Sequence, residues 1–289
     1  MRSRLGRPTR NAARTLMAIA LGGSAEFRYL SRMAGAWTRW RRERIRKRPF
    51  SREWLGILVR TFPRFTRLSA ADQEELKGHI QVFLAEKRFE GAAGLEITDE
   101  IRVTIAAQAC LLLVHRETDY YPGLLSIIVY PSEYVARHAT RNEIGLVSEG
   151  HQVRLGETGA RGALVLSWDG ALRGATYADD CRNVVFHEFA HELDAEAGGF
   201  DGAPLLPLRS MYIAWTRVFG EEFAALRARL LDEQSTDLDP YAATSPAEFF
   251  AVATECFFQR PRHLQEHHPA LFDELSLYYQ QDPRLSTDE

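Results

Sequence analysis

The segment His187-Glu188-Phe189-Ala190-His191 sets the tightest limit on how this chain can fold. Its flanks, Val184, Val185, Phe186 and Leu193, are apolar, as are Phe189 and Ala190 inside it. A helix over about 183–197, stopped by Gly198-Gly199, therefore buries most of its surface. Two imidazoles and a carboxylate then sit in a core or cleft, where a polar group without a partner is costly. Positions four apart share a helix face, so His187 and His191 can present both rings to one metal ion. Glu188 can face a water on that ion without being a ligand. Asp194 lies on the same side and can hold a ligand imidazole by its second nitrogen. The plain alternative is a surface helix with incidental histidines, which the apolar flanks weaken.

Two histidines need a third protein ligand. The extended HExxHxxGxxH pattern is absent, because positions 194 and 197 are Asp and Ala. A carboxylate on a later helix can take that place, and Ser245-Pro246-Ala247-Glu248 opens such a helix, predicted to run to about Gln259. Glu248 and Glu255 are seven apart and share a face, so both are candidates. Glu248 has a second reading: Ser at the cap, Pro next and Glu third match a capping box, in which the Glu merely reaches back to the cap amide. His263 and His267 are also four apart, but their short polar segment ends in His268-Pro269 and reads as a solvated helix end.

Elsewhere the pattern predicts an α+β domain, mostly helical with a small mixed sheet. Ser69 caps a helix carrying Leu76, Ile80, Phe83 and Leu84, and Thr98-Asp99 opens another, buried nearly all round. Strands are expected at Ser126–Tyr130 and Ala163–Trp168, and further helices at about 209–231 and 271–279. Charge divides the chain. Fourteen Lys and Arg against two acids lie between Met1 and Arg48, a net of +12 that leaves −15 for the rest of a chain whose overall balance is −3. Residues 1–50 read as a basic arm, flexible or helical, and 51–289 as the folded domain. The arm could touch anionic lipid, but no nucleic-acid fold signature accompanies it and no direct nucleic-acid binding is expected. No apolar run approaches the ~18–20 residues needed to cross a bilayer. Thr15 to Gly23 only loosely mimics a signal peptide. Three cysteines, far apart and without a CxxC pair, argue against a disulfide scaffold and for a reducing, cytoplasmic setting.

Four segments together carry a resemblance: His187-Glu-Phe-Ala-His-Glu-Leu-Asp194, Gly202-Ala-Pro-Leu-Leu-Pro-Leu208, Tyr241-Ala-Ala-Thr-Ser-Pro-Ala-Glu248 and Tyr278-Tyr-Gln-Gln-Asp-Pro283. With Phe83-Leu-Ala-Glu-Lys-Arg-Phe89, Tyr121-Pro-Gly123 and Val165-Leu-Ser-Trp168, the chain from about Trp54 to Pro283 resembles the Mlc titration factor A family of zincin-type metallopeptidases. The resemblance implies one zinc per chain held by His187, His191 and Glu248, Glu188 as general base and acid, and Tyr241 as a donor to the oxyanion. A loop aromatic packed at a helix start is the alternative for Tyr241. Some relatives carry a histidine after Gly-Leu-Val that can fill the metal's open position; Ser148 stands there in this chain, with His151 three residues on. The basic arm is also longer than the family core leads one to expect.

Three functions are then in play. One is an endo- or aminopeptidase acting on peptides or a partner protein, the strand near Val165 receiving extended substrate as an added strand. A second is a regulatory protein that sequesters a transcriptional repressor, as the family's name implies. A third is a membrane-surface or nucleic-acid-associated protein working through the arm.

Overall fold

Ser51, Ser69, Thr98, Asn183 and Ser245 each start a helix of this protein by accepting a backbone N–H from its first turn. In the computed structural model, which describes residues 25–132, 162–177 and 180–286, the first unit ends at Arg48 and contains α1 (Ala25–Arg46). Trp37 and Trp40 stand 62% and 55% exposed on it, and the Arg44 guanidinium lies 5.0 Å over the Trp40 ring. The second unit, from Pro49 onward, begins with α2 (Arg52–Thr61), α3 (Arg64–Arg67) and α4 (Ala70–Glu86). Ser69 caps α4 by accepting the Asp72 N–H at 3.1 Å. Then come β1 (Arg88–Gly91), α5 (Asp99–Leu111), β2 (Ser126–Tyr130), β3 (Ala163–Ser167) and α6 (Trp168–Thr176).

The described strands pair in the order β1-β2-β3, parallel throughout, with Arg88 opposite Ser126 and Ser126 opposite Ala163. The expected mixed sheet is therefore corrected to a parallel one, and α5 lies in the crossover that joining parallel strands β1 and β2 requires. Strand β1 escapes a pattern search because it is four residues long, sits at an edge and carries Arg88 and Glu90 on a mostly exposed surface. Helix α6 is equally quiet in sequence. Its buried positions are Gly170, Ala171, Gly174 and Ala175, chosen for closeness rather than apolar bulk. A Cβ at Gly174 would come within 2.8 Å of the Asn183 side chain.

Helix α7 (Val184–Glu196) follows, then α8 (Met211–Leu231), a 3₁₀ turn (Pro240–Ala243), α9 (Pro246–Gln259), α10 (Pro261–His267) and α11 (Pro269–Tyr279). Helices α7 and α9 pack directly on one another and form the middle of the core. Phe186 meets Phe258 with ring centroids 5.2 Å apart, and Phe189 meets Tyr121 edge-on at 4.7 Å. Tyr121 is held in a left-handed conformation, φ 56°. The buried Lys87 ammonium fixes that turn by donating to the carbonyls of Tyr121 and Leu124, both at 2.7 Å.

The cysteines overturn a second expectation. Cys181 and Cys256, 75 positions apart, form a disulfide, and Cys110 is free and buried. An odd and sparse count hides a pair that only the tertiary fold brings together. The bond withdraws the cysteine argument for a reducing, cytoplasmic setting. Among the described residues no helix is long and apolar enough to cross a membrane.

Candidate metal centre

Helix α7 starts at Asn183, whose side chain accepts the Phe186 N–H at 2.9 Å and donates to Gln108 Oε1 and the Gly174 carbonyl, both at 2.8 Å. That buried cap fixes the rotation of the helix. The Nε2 atoms of His187 and His191, one turn apart, converge to 3.2 Å. Helix α9 brings the third group. Ser245 accepts the Glu248 N–H at 3.2 Å, so the backbone of Glu248 belongs to the cap. Its side chain does not turn back: Oε2 lies 3.0 Å from His187 Nε2 and 3.3 Å from His191 Nε2. Three donor atoms thus form a triangle with edges of 3.0–3.3 Å. Bonds of about 2.1 Å at tetrahedral angles would separate ligand atoms by about 3.4 Å, so a zinc-sized ion fits this set.

The surroundings are built to favour a cation there. His187 Nδ1 faces Glu255 Oε1 at 2.7 Å, and the other Glu255 oxygen accepts the Asn183 backbone N–H. Glu255, the other candidate, lies instead behind the His187 ring, on the side away from the converging Nε2 atoms. Burial works against charge on His187, but Glu255, then Glu248 and Glu188, outweigh it and draw a proton onto the ring. Glu248 is desolvated too, yet the two imidazoles hold its carboxyl far below the usual carboxylate range. With the protons gone, the same negative field is available to a metal ion.

Asp194 does not hold an imidazole. Its Oδ2 accepts the Gly202 N–H at 3.0 Å, while His191 Nδ1 is buried without a hydrogen-bond partner. The reason is the turn after α7. Gly202, at φ 73°, packs where a Cβ would lie 2.3 Å from the Pro246 carbonyl oxygen, and Asp194 is committed to holding it there. Glu188 is 0% exposed, adjacent to His187 on α7. Tyr241 sits in the 3₁₀ turn, its N–H accepted by Asp239 at 3.0 Å, with its ring centroid 6.1 Å from that of His187. Ser148 and His151 lie outside the described residues. Sequence spacing places the helix start at Asn183 but signals neither its buried bonds to Gln108 and Gly174 nor the Cys181–Cys256 bond, although Cys256 follows Glu255 directly and Cys181 stands two residues before the α7 cap. The His263 and His267 rings lie tilted against one another on α10, centroids 4.4 Å apart, and the carboxylate beside them, Asp237, already pairs with Arg229 at 3.1 Å.

Comparison with known proteins places the chain among metallo-peptidases. The family model described as "Glucose-regulated metallo-peptidase M90" matches residues 37–280. The chain is similar to "Uncharacterized protein slr2042" of Synechocystis sp., 38% identical over 251 residues that cover 86% of this chain and 91% of that protein. It is also similar to "Mlc titration factor A" of Klebsiella pneumoniae, 32% identical over 224 residues, 76% of this chain and 83% of the relative. The protein of that name from Edwardsiella ictaluri is 32% identical over 226 residues, covering 76% and 85%.

Proposed function

The chain belongs to the glucose-regulated metallo-peptidase M90 family, and from that membership we propose that it is a zinc-dependent peptidase whose ion is held by His187, His191 and Glu248. The observation that carries the reading is the convergence of three buried or half-buried donor atoms within 3.0–3.3 Å. A set of two imidazoles and one carboxylate suits zinc and leaves a position open. When bound, the ion supplies Lewis-acid polarisation of a carbonyl and of a water.

The chain's own residues do the rest. Glu188 takes a proton from the attacking water and passes it to the leaving amine, breaking the peptide bond. The Tyr241 hydroxyl donates to the oxygen on which charge develops. Glu255 accepts from His187 Nδ1, which fixes the tautomer and directs Nε2 to the ion. An extended peptide can add to the free edge of β3, which among the described residues pairs only with β2 and lies against α7; main-chain hydrogen bonds then hold the substrate beside the site.

The purified protein is expected to contain one zinc, lose it to chelators and cleave a chromogenic peptide. Glu188→Gln is expected to keep the metal and lose the cleavage, and cleavage that survives it would sink the mechanism. Glu248→Ala is expected to lose zinc affinity; unchanged affinity would leave Glu248 as a cap only.

The relatives named Mlc titration factor A support a second reading, in which the protein binds a regulatory partner such as a transcriptional repressor and peptidase activity is secondary. A Glu188→Gln protein that retains full biological effect would favour it. The arm of residues 1–50 we assign a separate role from the 51–289 unit. Its deletion is expected to leave cleavage intact, and any lipid binding lost with it belongs to the arm.

A further inference from the structure

A cavity of about 340 Å³ lies beside the start of α4, with Arg64, Arg67, Asp72, His115 and Asp282 in its wall. Its volume falls in the range of small-molecule sites, and none of the residues placed around the metal centre lines it. Arg64 and Arg67 stand three apart on α3, a spacing at which like charges face and repel one another. Among the described residues neither guanidinium has a carboxylate, carbonyl or aromatic partner. Arg64 is half-buried. Burial first, then the charge of Arg67, pull its guanidinium down to about 10. A cation has been taken from water without receiving a counter-charge, which costs stability unless an anion arrives.

The two acids in the wall do not supply that anion. Asp72 Oδ1 is bonded to His115 Nε2 at 2.6 Å. Burial opposes charge on His115, but its bonds to the Gln280 carbonyl and to Asp72 outweigh it and raise its pKa, and Asp72 is engaged by that ring. Asp282 is gripped by its near neighbour Arg284, with Nε at 2.8 Å. Each acid is already engaged by a basic neighbour, and the two arginines of α3, Arg64 half-buried and Arg67 exposed, line the cavity without one.

We infer that this cavity is a binding site for a small phosphate-type oxyanion, held by the guanidiniums of Arg64 and Arg67. One planar guanidinium fork satisfies a carboxylate. Two forks suit a group with three acceptor oxygens and nearly two negative charges, such as a phosphomonoester.

The test uses the full-length, metal-loaded protein and inorganic phosphate as the probe, titrated by calorimetry and by thermal shift against potassium chloride and potassium acetate at equal ionic strength. One saturable phosphate site per chain is expected, weakened at least tenfold by Arg64→Met and by Arg67→Met, with no response to acetate. Without phosphate, Arg64→Met is expected to melt no lower than the parent, because it removes a desolvated charge. If that variant does not fold, Arg67→Met, on an exposed residue, carries the comparison alone. Absence of saturable phosphate binding overturns the inference, as does binding that both variants leave unchanged, which would put the anion elsewhere. Acetate binding as tight as phosphate overturns the phosphate class.

Discussion

Two carboxylates meet the His187 ring from opposite ends, Glu255 at Nδ1 and Glu248 at Nε2. Only Glu248 also reaches His191, so the two acids have different consequences when changed. Glu255→Gln keeps the shape of the side chain and a carbonyl oxygen for the Asn183 N–H, but removes the charge behind the ring. Metal affinity, measured by chelator competition, is expected to fall about 10–100-fold. Tyr241→Phe tests the hydroxyl alone. A loss of about 10²–10³ in kcat with metal content unchanged is expected for an oxyanion donor, whereas unchanged kcat would reduce Tyr241 to packing. Glu196 offers a pH test apart from the ligands. Burial, only partly offset by Arg116, raises its carboxyl to about 7. The folded state therefore holds a proton that the unfolded state releases near pH 4.5, and stability falls as pH rises from about 4.5 to about 7. Glu196→Gln is expected to flatten that slope and to raise stability at pH 8 by on the order of 2 kcal/mol, read from denaturant unfolding at both ends of the window.

At the level of elements, the site is an agreement between two helix starts. Asn183 and Ser245 decide where α7 and α9 begin, and Gly202 lets the chain between them pass close to Pro246. Gly202→Ala would set a Cβ 2.3 Å from a backbone oxygen at a left-handed φ. It is expected to cost about 2 kcal/mol or more in stability and to weaken metal binding through the displaced start of α9. A thermal melt combined with a zinc titration checks both. This level also marks what the residues alone disclose. The caps at Ser69, Thr98 and Ser245 and the apolar run of α7 are local signals, so those helices were legible and so was the pair His187 and His191. Strand β1 and helix α6 were not, because a charged edge strand and a small-residue helix bury little side chain. The choice between Glu248 and Glu255 needed α9 to be placed on α7, since sequence spacing puts both on one face and says nothing of which meets the rings. Asp194 shows the same limit: spacing sets it three residues beyond His191, but its partner is a backbone amide that only the turn at Gly202 supplies.

Across the whole molecule, the Cys181–Cys256 bond closes a long segment. With 75 positions between its ends, loop-closure entropy assigns it about 4 kcal/mol of stabilisation. Cys181→Ser, or treatment with a dithiol, is expected to lower the melting temperature accordingly; a melt insensitive to reductant would mean the unfolded chain gains little freedom from opening the ring. His187, Glu188, His191, Tyr241, Glu248 and Glu255 all lie within the closed segment. In coordination-chemistry terms the bond ties the two arms of the proposed chelate, α7 with His187 and His191 and α9 with Glu248, together at a second point, which limits how far they can part. A chelator should strip the intact ring slowly and the opened one quickly, with reductant acting on the rate of metal release before it acts on the fold.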